Sequence, residues 1–95
     1  MSLEVEWNPA KAESNLLKHG VRFEEAATVL GDPLSVTLDD PDHGREEARF
    51  LVLGSSAVGR FLIVAITERG DKVRIINARP MTARERRAYE QGIEG

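Results

Sequence analysis

The sequence predicts an α+β domain in which helices pack on a small, mostly antiparallel sheet. Three observations predict this fold class: two helical patterns come early, strand patterns joined by short polar turns follow them, and a capping motif opens a last helix. Strands that are joined by short turns form hairpins, and hairpins pair antiparallel. The predicted order of elements is therefore β-α-α-β-β-β-β-α.

The first third of the chain is predicted to contain one strand and two helices. Residues 3–7 alternate apolar and acidic side chains, which is typical of a strand that is buried on one face. Asn8-Pro9 supplies a helix N-cap and a proline at the first helical position, and Gly20 supplies the left-handed residue that ends this helix. A second helix begins at Phe23, because apolar residues recur from there at helical spacing.

The rest of the chain is predicted to form four strands and a last helix. The strands are expected at residues 34–38, 49–53, 60–67 and 72–78. The third of these four is apolar on both faces, which places it at the centre of the sheet. Residues 39–47 are polar and predict a loop. Thr82-x-x-Glu85 is a capping box that opens a helix through Tyr89.

Length and composition limit the class of protein. The 95 residues predict one domain spanning residues 1–95, and the lack of Cys excludes disulfides and thiolate metal sites. The two His have no paired carboxylates at ligand spacing, so we expect neither a metal site nor a cofactor. The longest apolar run, residues 61–66, is too short to cross a bilayer, and the N-terminus lacks a secretory pattern. A cytoplasmic protein without membrane contact is expected.

The charge is distributed unevenly, although the net charge is only −3. Residues 1–59 carry 5 Lys and Arg against 11 Asp and Glu, whereas residues 60–87 carry 8 against 3. Several of these cations lie at the ends of predicted strands, where they could grip a polyanion such as RNA. Solvated surface charge is the alternative interpretation.

The last predicted strand carries the main candidate for phosphate binding. Alternation places Val73, Ile75 and Asn77 on one face. Arg79 continues that face, because the following Pro80 favours extended geometry for it. Arg79 is thus expected beyond the apolar part of the strand, where its guanidinium could bind a phosphate in a bidentate way. The alternative is an ion pair with a carboxylate of the N-terminal half.

The first helix offers a second cation. Lys11, Asn15 and Lys18 fall on one narrow stripe of this helix, and Leu16 and His19 belong to another. Lys18 therefore points away from the apolar side and could reach a ligand, or it could instead interact with the helix dipole. For His19, a packed or capping imidazole is the favoured interpretation.

Two further residues each have a functional and a structural interpretation. Glu68 ends the central strand near several cations, where it would stay ionised and could accept a proton in RNA cleavage. It could equally be a turn residue that pairs with a neighbouring Arg. Trp7, the only Trp, could stack on a base, although a core position is the commoner role of such a residue.

The same residues resemble a known family. The segments that resemble the N-terminal half of the BrnT toxins are Trp7-Asn8-x-x-Lys11, Asn15-x-x-Lys18-His19-Gly20-Val21-x-Phe23-Glu24 and Asp32-Pro33. Those that resemble the C-terminal half are Gly59-Arg60, Thr67-Glu68-Arg69, Arg74-Ile75-Ile76-Asn77-Ala78-Arg79 and Glu85-Arg86-x-x-Tyr89. The likeness runs in order over nearly the whole chain, which makes it more specific than any one motif.

BrnT proteins are the ribonuclease toxins of type II toxin–antitoxin pairs, with helices packed on an antiparallel sheet in a RelE-like fold. The resemblance implies metal-independent cleavage of single-stranded RNA, which inhibits translation and growth. It also implies neutralisation by a BrnA-like ribbon-helix-helix antitoxin, with operator DNA bound only through the toxin–antitoxin complex. Together with the residue patterns, it makes Lys18, Glu68 and Arg79 the candidate catalytic residues, and Trp7, Arg60 and Asn77 the candidate RNA contacts. Asn77 stands where many relatives carry Ser.

The sequence shows no metal-ligand cluster, and an internal nucleophile needs no metal-bound hydroxide, so we predict that the RNA 2′-OH attacks the adjacent phosphate. The products would be a 2′,3′-cyclic phosphate and a 5′-OH. Arg79, with Arg60 or Lys18, would stabilise the developing charge, and Glu68 or His19 would move protons. The alternative function is a non-catalytic module that binds RNA or a protein partner, including an inactive toxin that acts as a co-repressor.

Overall fold

The computed structural model describes residues 4–40 and 48–92. Within these ranges the strands and helices follow one another in the predicted order. They are β1 (Glu4–Glu6), α1 (Pro9–His19), α2 (Phe23–Val29), β2 (Val36–Asp39), β3 (Arg49–Ser55), β4 (Phe61–Arg69), β5 (Lys72–Pro80) and α3 (Ala83–Gln91). Of the predicted loop 39–47, residues 41–47 lie outside the described part of the chain, and its first residue belongs to β2.

The described strands form one sheet in the order β1-β5-β4-β3-β2. β5 pairs antiparallel with β4, β4 with β3, and β3 with β2, whereas β1 pairs parallel with β5. β4 occupies the centre, as expected for a strand that is apolar on both faces. The predicted α+β fold with a mostly antiparallel sheet is confirmed.

The helices begin and end at the predicted signals. The side chain of Asn8 accepts hydrogen bonds from two backbone N–H groups at the start of α1, at 2.8 and 3.1 Å. Gly20 ends α1 in the left-handed conformation, with φ of 71°. Thr82 and Glu85 form the reciprocal hydrogen bonds of a capping box at the start of α3. None of the helices in residues 4–40 and 48–92 is long and apolar enough to span a membrane.

The two faces of the sheet are covered differently. The core lies on the face that α1 and α2 cover. It consists of Val21, Phe23, Ala26, Val29, Val52, Leu62, Val64, Ile66, Val73, Ile75 and Ala78. On the other face, α3 buries none of its own residues and is held by ring contacts: Arg86 lies 4.1 Å over the ring of Phe61, and the ring of Tyr89 packs edge-on against it at 6.0 Å. Because apolar burial is the main source of folding stability, the face that α1 and α2 cover contributes more to the stability of the domain than the face on which α3 lies.

A β-bulge in β5 changes which residues face the core. Ala65 of β4 pairs with Asn77, and the next residue, Ile66, pairs with Ile75. Ile76 is therefore an extra residue in β5. As a result Ala78, and not Asn77, is buried with the core. The prediction that Asn77 and Arg79 share the face of Ile75 is wrong, because strict alternation takes no account of an inserted residue.

Candidate functional site

A hollow of about 440 Å³ lies between α1 and the outer edge of β5. Among the described residues β1 pairs with β5 only at residues 72–74, so no described strand borders the second half of β5 on this side, and α1 lies there instead. The hollow is lined by residues of both elements: Lys11, Ser14, Asn15, Lys18, His19, Ile76, Asn77 and Arg79. It brings together four residues that the sequence nominated, which are Lys18, His19, Asn77 and Arg79. We call it the cationic hollow.

The helix contributes two lysines to the cationic hollow. Lys11 and Lys18 are two turns apart on the stripe that faces β5, and both side chains are exposed. Neither forms an ion pair with another described residue. With Arg79 they place three positive charges around one concavity, and no carboxylate is among its described lining residues. Such an arrangement attracts anions, because charges of one sign in a cleft reinforce each other's potential.

Arg79 is oriented by a carboxylate and still has donors to offer. Its Nη1 and Nη2 each donate to one carboxylate oxygen of Glu85 at 2.8 Å, and Nη1 also donates to the Pro80 carbonyl at 3.3 Å. A guanidinium has five N–H groups, so the Nε–H and one Nη2–H remain without a partner among residues 4–40 and 48–92. These two lie on the same edge of the group, which is the edge that can bind two oxygens of a phosphate. The side chain is 38% exposed.

The pKa values of this pair keep both partners charged. The hydrogen bonds from Arg79 are the largest cause that lowers the pKa of Glu85 from 4.5 to about 2, and the backbone N–H of Thr82 adds to them. The same contact raises the pKa of Arg79. The predicted alternative, an ion pair of Arg79 with a carboxylate of the N-terminal half, is wrong in its partner, because Glu85 belongs to α3.

The remaining lining of the cationic hollow comes from the bulged part of β5 and from the C-terminal end of α1. Ile76 and Asn77 both reach the cationic hollow from the irregular part of β5, and Asn77 is exposed. His19, at the C-terminal end of α1, is half-buried and lines the same space as Lys18. An imidazole is the side chain that most often moves protons in catalysis. The hollow therefore contains groups that can bind a phosphate and a group that can transfer a proton.

Asn15 is the residue whose importance the sequence did not reveal. Its side chain is buried and hydrogen-bonds to the backbone of Ala78 in both directions and to the carbonyl of Val21. The sequence placed it in the polar stripe of α1 but gave no role to it. Asn is an unfavourable residue inside a helix. The position of Asn15 between Lys11 and Lys18 on one face of the helix was the sequence signal that could have identified it.

Arg60 lies outside the cationic hollow. It donates to Glu25 through Nε at 2.9 Å and Nη2 at 2.5 Å, and through Nη2 to the carbonyl of Gly20 at 3.1 Å. The hydrogen bonds from Arg60 are the largest cause that lowers the pKa of Glu25. Ser56 donates to the same carboxylate at 2.7 Å. Arg60 therefore connects the turn before β4 to the ends of both N-terminal helices.

Glu68 and Trp7 are likewise not part of the cationic hollow. Glu68 is exposed and pairs with Val73, whereas Arg79 pairs with Ile63. Five residues of strand separate these positions, which is about 16 Å at the usual rise per residue. The ring of Trp7 packs edge-on against a core ring at a centroid distance of 6.0 Å and an angle of 81°. This position agrees with the core interpretation of Trp7.

A second concavity of about 360 Å³ lies between α3 and the sheet. Its walls are mainly apolar, with Leu51, Leu53 and Ile63 from the sheet and Tyr89 from the helix. Arg79 lines this groove as well as the cationic hollow, and Glu85 lines the groove only. The pair thus lies at the boundary between a charged and an apolar surface.

No group of three or more His, Asp or Glu that could hold a metal ion occurs in residues 4–40 and 48–92. His43 and three acidic residues of the predicted loop lie in residues 41–47 and are outside the described part.

Comparisons with known proteins agree with this fold. The sequence model of the family described as "Ribonuclease toxin, BrnT, of type II toxin-antitoxin system" matches residues 7–85. The 1.1 Å crystal structure of the Brucella abortus ribonuclease toxin BrnT is similar to this chain with a TM-score of 0.67 and 17% identity, over 85% of this chain and 99% of that one. At this identity the structural likeness shows the fold alone. No curated protein matches the sequence.

Proposed function

The chain belongs to the BrnT family, the ribonuclease toxins of type II toxin–antitoxin systems, and we propose that it cleaves single-stranded RNA in the cationic hollow. The observation that carries this proposal is the convergence of Lys18 and Arg79, which are 61 positions apart in the sequence, on one open concavity. A single strand exposes its phosphates and sugar hydroxyls to such a concavity, whereas a duplex presents them on a convex surface.

The proposed reaction uses the RNA itself as nucleophile. The 2′-oxygen attacks the adjacent phosphorus, its proton goes to a base, and the bond to the 5′-oxygen of the next nucleotide breaks as that oxygen takes up a proton from water. The products are a 2′,3′-cyclic phosphate and a 5′-OH. The free edge of Arg79 binds the non-bridging oxygens, and Lys18 and Lys11 stabilise the charge that accumulates on them. Preorganised charges of this kind are usually the largest catalytic contribution.

His19 is the proposed proton-transfer group. It lines the cationic hollow beside Lys18, whereas Glu68 lies at the opposite end of the β4–β5 ladder. A base must come within hydrogen-bond reach of the proton that it removes. Of the two residues that the sequence offered for this step, we therefore assign it to His19 and leave Glu68 without a catalytic role. Asn77 would contact the RNA beside the reacting phosphate.

We propose that the reaction needs no metal ion. The described lining of the cationic hollow holds three cations and no carboxylate, so a divalent cation would be repelled there, while the same charges supply the stabilisation that a metal would give. Cleavage should therefore continue at the same rate in excess chelator. Loss of activity in chelator that is restored by added Mg²⁺ would contradict this part of the proposal.

The proposed partner is a BrnA-like ribbon-helix-helix antitoxin, encoded beside this chain, which neutralises the toxin and takes it to operator DNA. Type II antitoxins are proteins, so co-expression of that antitoxin with this chain should restore growth and yield a complex of the two proteins that can be purified. Induction of this chain alone should arrest growth and translation, and co-expression of an unrelated ribbon-helix-helix protein should leave the arrest unchanged.

End-group analysis tests the chemistry directly. A single-stranded RNA should give 2′,3′-cyclic phosphate and 5′-OH ends, and the same RNA with one 2′-deoxynucleotide at the cut should stay intact at that position. Products with 5′-phosphate and 3′-OH would reject the 2′-OH route. Binding of RNA without cleavage, with and without added metal, would favour the non-catalytic module.

A further inference from the structure

We propose that Asn15 is the positioning residue of the RNA-cleavage site, because its side-chain amide holds the two halves of the cationic hollow against each other. The inference rests on the proposed function and identifies a residue that acts through its neighbours and touches no reacting atom. It starts from an unusual set of hydrogen bonds at the open edge of β5.

The side chain of Asn15 takes the place of a neighbouring strand. Its Nδ2 donates to the carbonyl of Ala78 at 2.9 Å, and its Oδ1 accepts from the N–H of the same residue at 3.0 Å. Paired strands exchange the same two hydrogen bonds between two residues. The second N–H of Nδ2 donates to the carbonyl of Val21 at 3.0 Å, so both donors of the amide are used.

The position of this contact connects it to function. Ala78 lies between Asn77 and Arg79, the two strand residues beside which we place the RNA phosphate. Asn15 itself lies on α1, four residues after Lys11 and three before Lys18. One side chain therefore fixes the guanidinium on the strand relative to the ammonium groups on the helix.

The contact is also the one that sets the spacing of helix and strand. In the described part of the chain, the hydrogen bonds of Asn15 are the only ones that join α1 to β5. They lie two residues after the bulge at Ile76, where the ladder with β4 is irregular. A buried amide that satisfies both backbone groups of Ala78 compensates for that irregularity.

Loss of this contact should change geometry more than folding. Ala12, on the same helix, packs independently against the core, so α1 stays attached without the amide. The helix and the strand would then be free to shift by about an ångström, and a displacement of that size can cost about 100-fold in rate. RNA affinity depends mainly on the number of cations near the phosphates, which does not change.

The test compares Asn15→Ala with Thr67→Val as a matched control. Thr67 is also buried, and its hydroxyl donates to the carbonyl of Ala48 at 2.9 Å, on the far part of β4. Each substitution removes buried side-chain hydrogen bonding. Both are assayed at a temperature at which circular dichroism shows them folded. We measure the single-turnover cleavage rate at saturating RNA and the Kd for an RNA with a 2′-deoxynucleotide at the cut.

We expect Asn15→Ala to lower the single-turnover rate about 100-fold with a Kd within about threefold of wild type. Thr67→Val should leave both values within about threefold. Equal losses of rate in the two variants, or an unchanged rate in folded Asn15→Ala, would overturn the positioning role while leaving the nuclease function intact. An inactive wild-type protein would instead overturn the proposed function, and this role with it.

A second variant and a second measurement cover a failure to fold. Asn15→Asp keeps the size and the acceptor for the Ala78 N–H but removes both donors, so the same loss of rate is expected. Hydrogen exchange gives a readout without cleavage: the Ala78 amide should be protected in wild type and exchange faster in either Asn15 variant. An Ala78 amide that exchanges equally fast in wild type and variants would overturn the proposal.

Discussion

Two arginine–glutamate pairs in this molecule have nearly the same geometry and very different surroundings. Arg79 and Glu85 make two hydrogen bonds of 2.8 Å, and Arg60 and Glu25 make two of 2.9 and 2.5 Å. The side chains of the two arginines are 38% and 41% exposed. Neither the ion pair nor the exposure of its arginine therefore distinguishes a binding group from a structural one.

The difference lies in the donors that remain and in the neighbouring charges. With respect to the described residues, Arg60 keeps only the two N–H groups of Nη1, because its Nε and Nη2 bond to Glu25 and to the Gly20 carbonyl. Arg79 keeps the Nε–H and one Nη2–H, which point the same way and can hold two oxygens of one phosphate. Arg79 also lines a concavity with two lysines that form no ion pair with another described residue, and Arg60 does not. We infer that the orientation of the remaining donors decides which arginine can act on RNA.

The substitution with the largest expected effect is Arg79→Ala. We expect cleavage to fall about 1000-fold, because one preorganised charge at a developing anion contributes about 100- to 1000-fold. Arg60→Ala should leave the cleavage rate of the folded protein within about threefold and lower the free energy of unfolding by about 1 to 2 kcal/mol, because the side chain of Glu25 is only 15% exposed and would lose its charged partner. Single-turnover rates and urea unfolding of both variants check this. Equal rate losses would remove the distinction between the two pairs.

The second-largest expected effect is that of His19→Ala, which tests the assignment of proton transfer to His19. We expect the cleavage rate to fall about 100-fold with little change in RNA affinity, since general acid–base catalysis contributes about 100- to 10,000-fold. Glu68→Ala is the matched control, because Glu68 is exposed and lies about 16 Å along β4 from the position that pairs with Arg79. A large loss in Glu68→Ala with an active His19→Ala variant would reverse the assignment.

The sequence predicted the fold well because the relevant signals are local. Caps at Asn8 and Thr82 and the left-handed Gly20 determine where helices begin and end, and each acts within a few residues. The bulge at Ile76 depends on pairing with β4, and no alternation pattern within β5 records it. The faces of β5 were mispredicted for this reason.

The candidate site was predicted in part. The position of Lys18 on a polar helix stripe and that of Arg79 at a strand end follow from local spacing, whereas their convergence on one concavity depends on the packing of α1 against β5. The partners of Arg60 and the core contact of Trp7 depend on residues distant in the sequence, on Glu25 and on the ring of Phe23. Those long-range contacts are set by packing, which charge patterns along a chain do not reveal.

Lys18→Ala should have a smaller effect than either of the first two substitutions. We expect RNA affinity to fall about tenfold at low salt, and the slope of log K against log salt to become less negative by about 0.7, the value for one phosphate contact on a single strand. The measurement is a salt titration with a 2′-deoxy-substituted RNA. Lys72→Ala is the control, since Lys72 is exposed at the opposite end of β5 and outside the cationic hollow. An unchanged slope in Lys18→Ala would place the RNA elsewhere.

The smallest expected effect is the dependence of stability on pH that arises from Glu85, the carboxylate that orients Arg79. The pKa of Glu85 is about 2 in the folded protein against an ordinary value of 4.5. A carboxyl group whose pKa is lowered on folding stabilises the fold above its unfolded pKa, and this contribution is lost as the pH falls through the folded pKa. The pair should therefore stay ionised down to about pH 2, whereas its contribution to the free energy of unfolding should be complete above about pH 4.5 and fall progressively between about 4.5 and 2.

Urea unfolding at pH 7 and pH 3 tests this. Because the side chain of Glu85 is 32% exposed, solvent screening limits the expected contribution to about 1 kcal/mol. Wild type should lose more stability between the two pH values than Glu85→Gln, by about that amount. Glu25 also has a lowered pKa, so Glu25→Gln should show the same sign at the other pair. Above pH 5, Glu85→Gln should leave the shape of the pH–rate profile unchanged, because Glu85 is already fully ionised there; a changed shape would mean that Glu85 takes part in proton transfer.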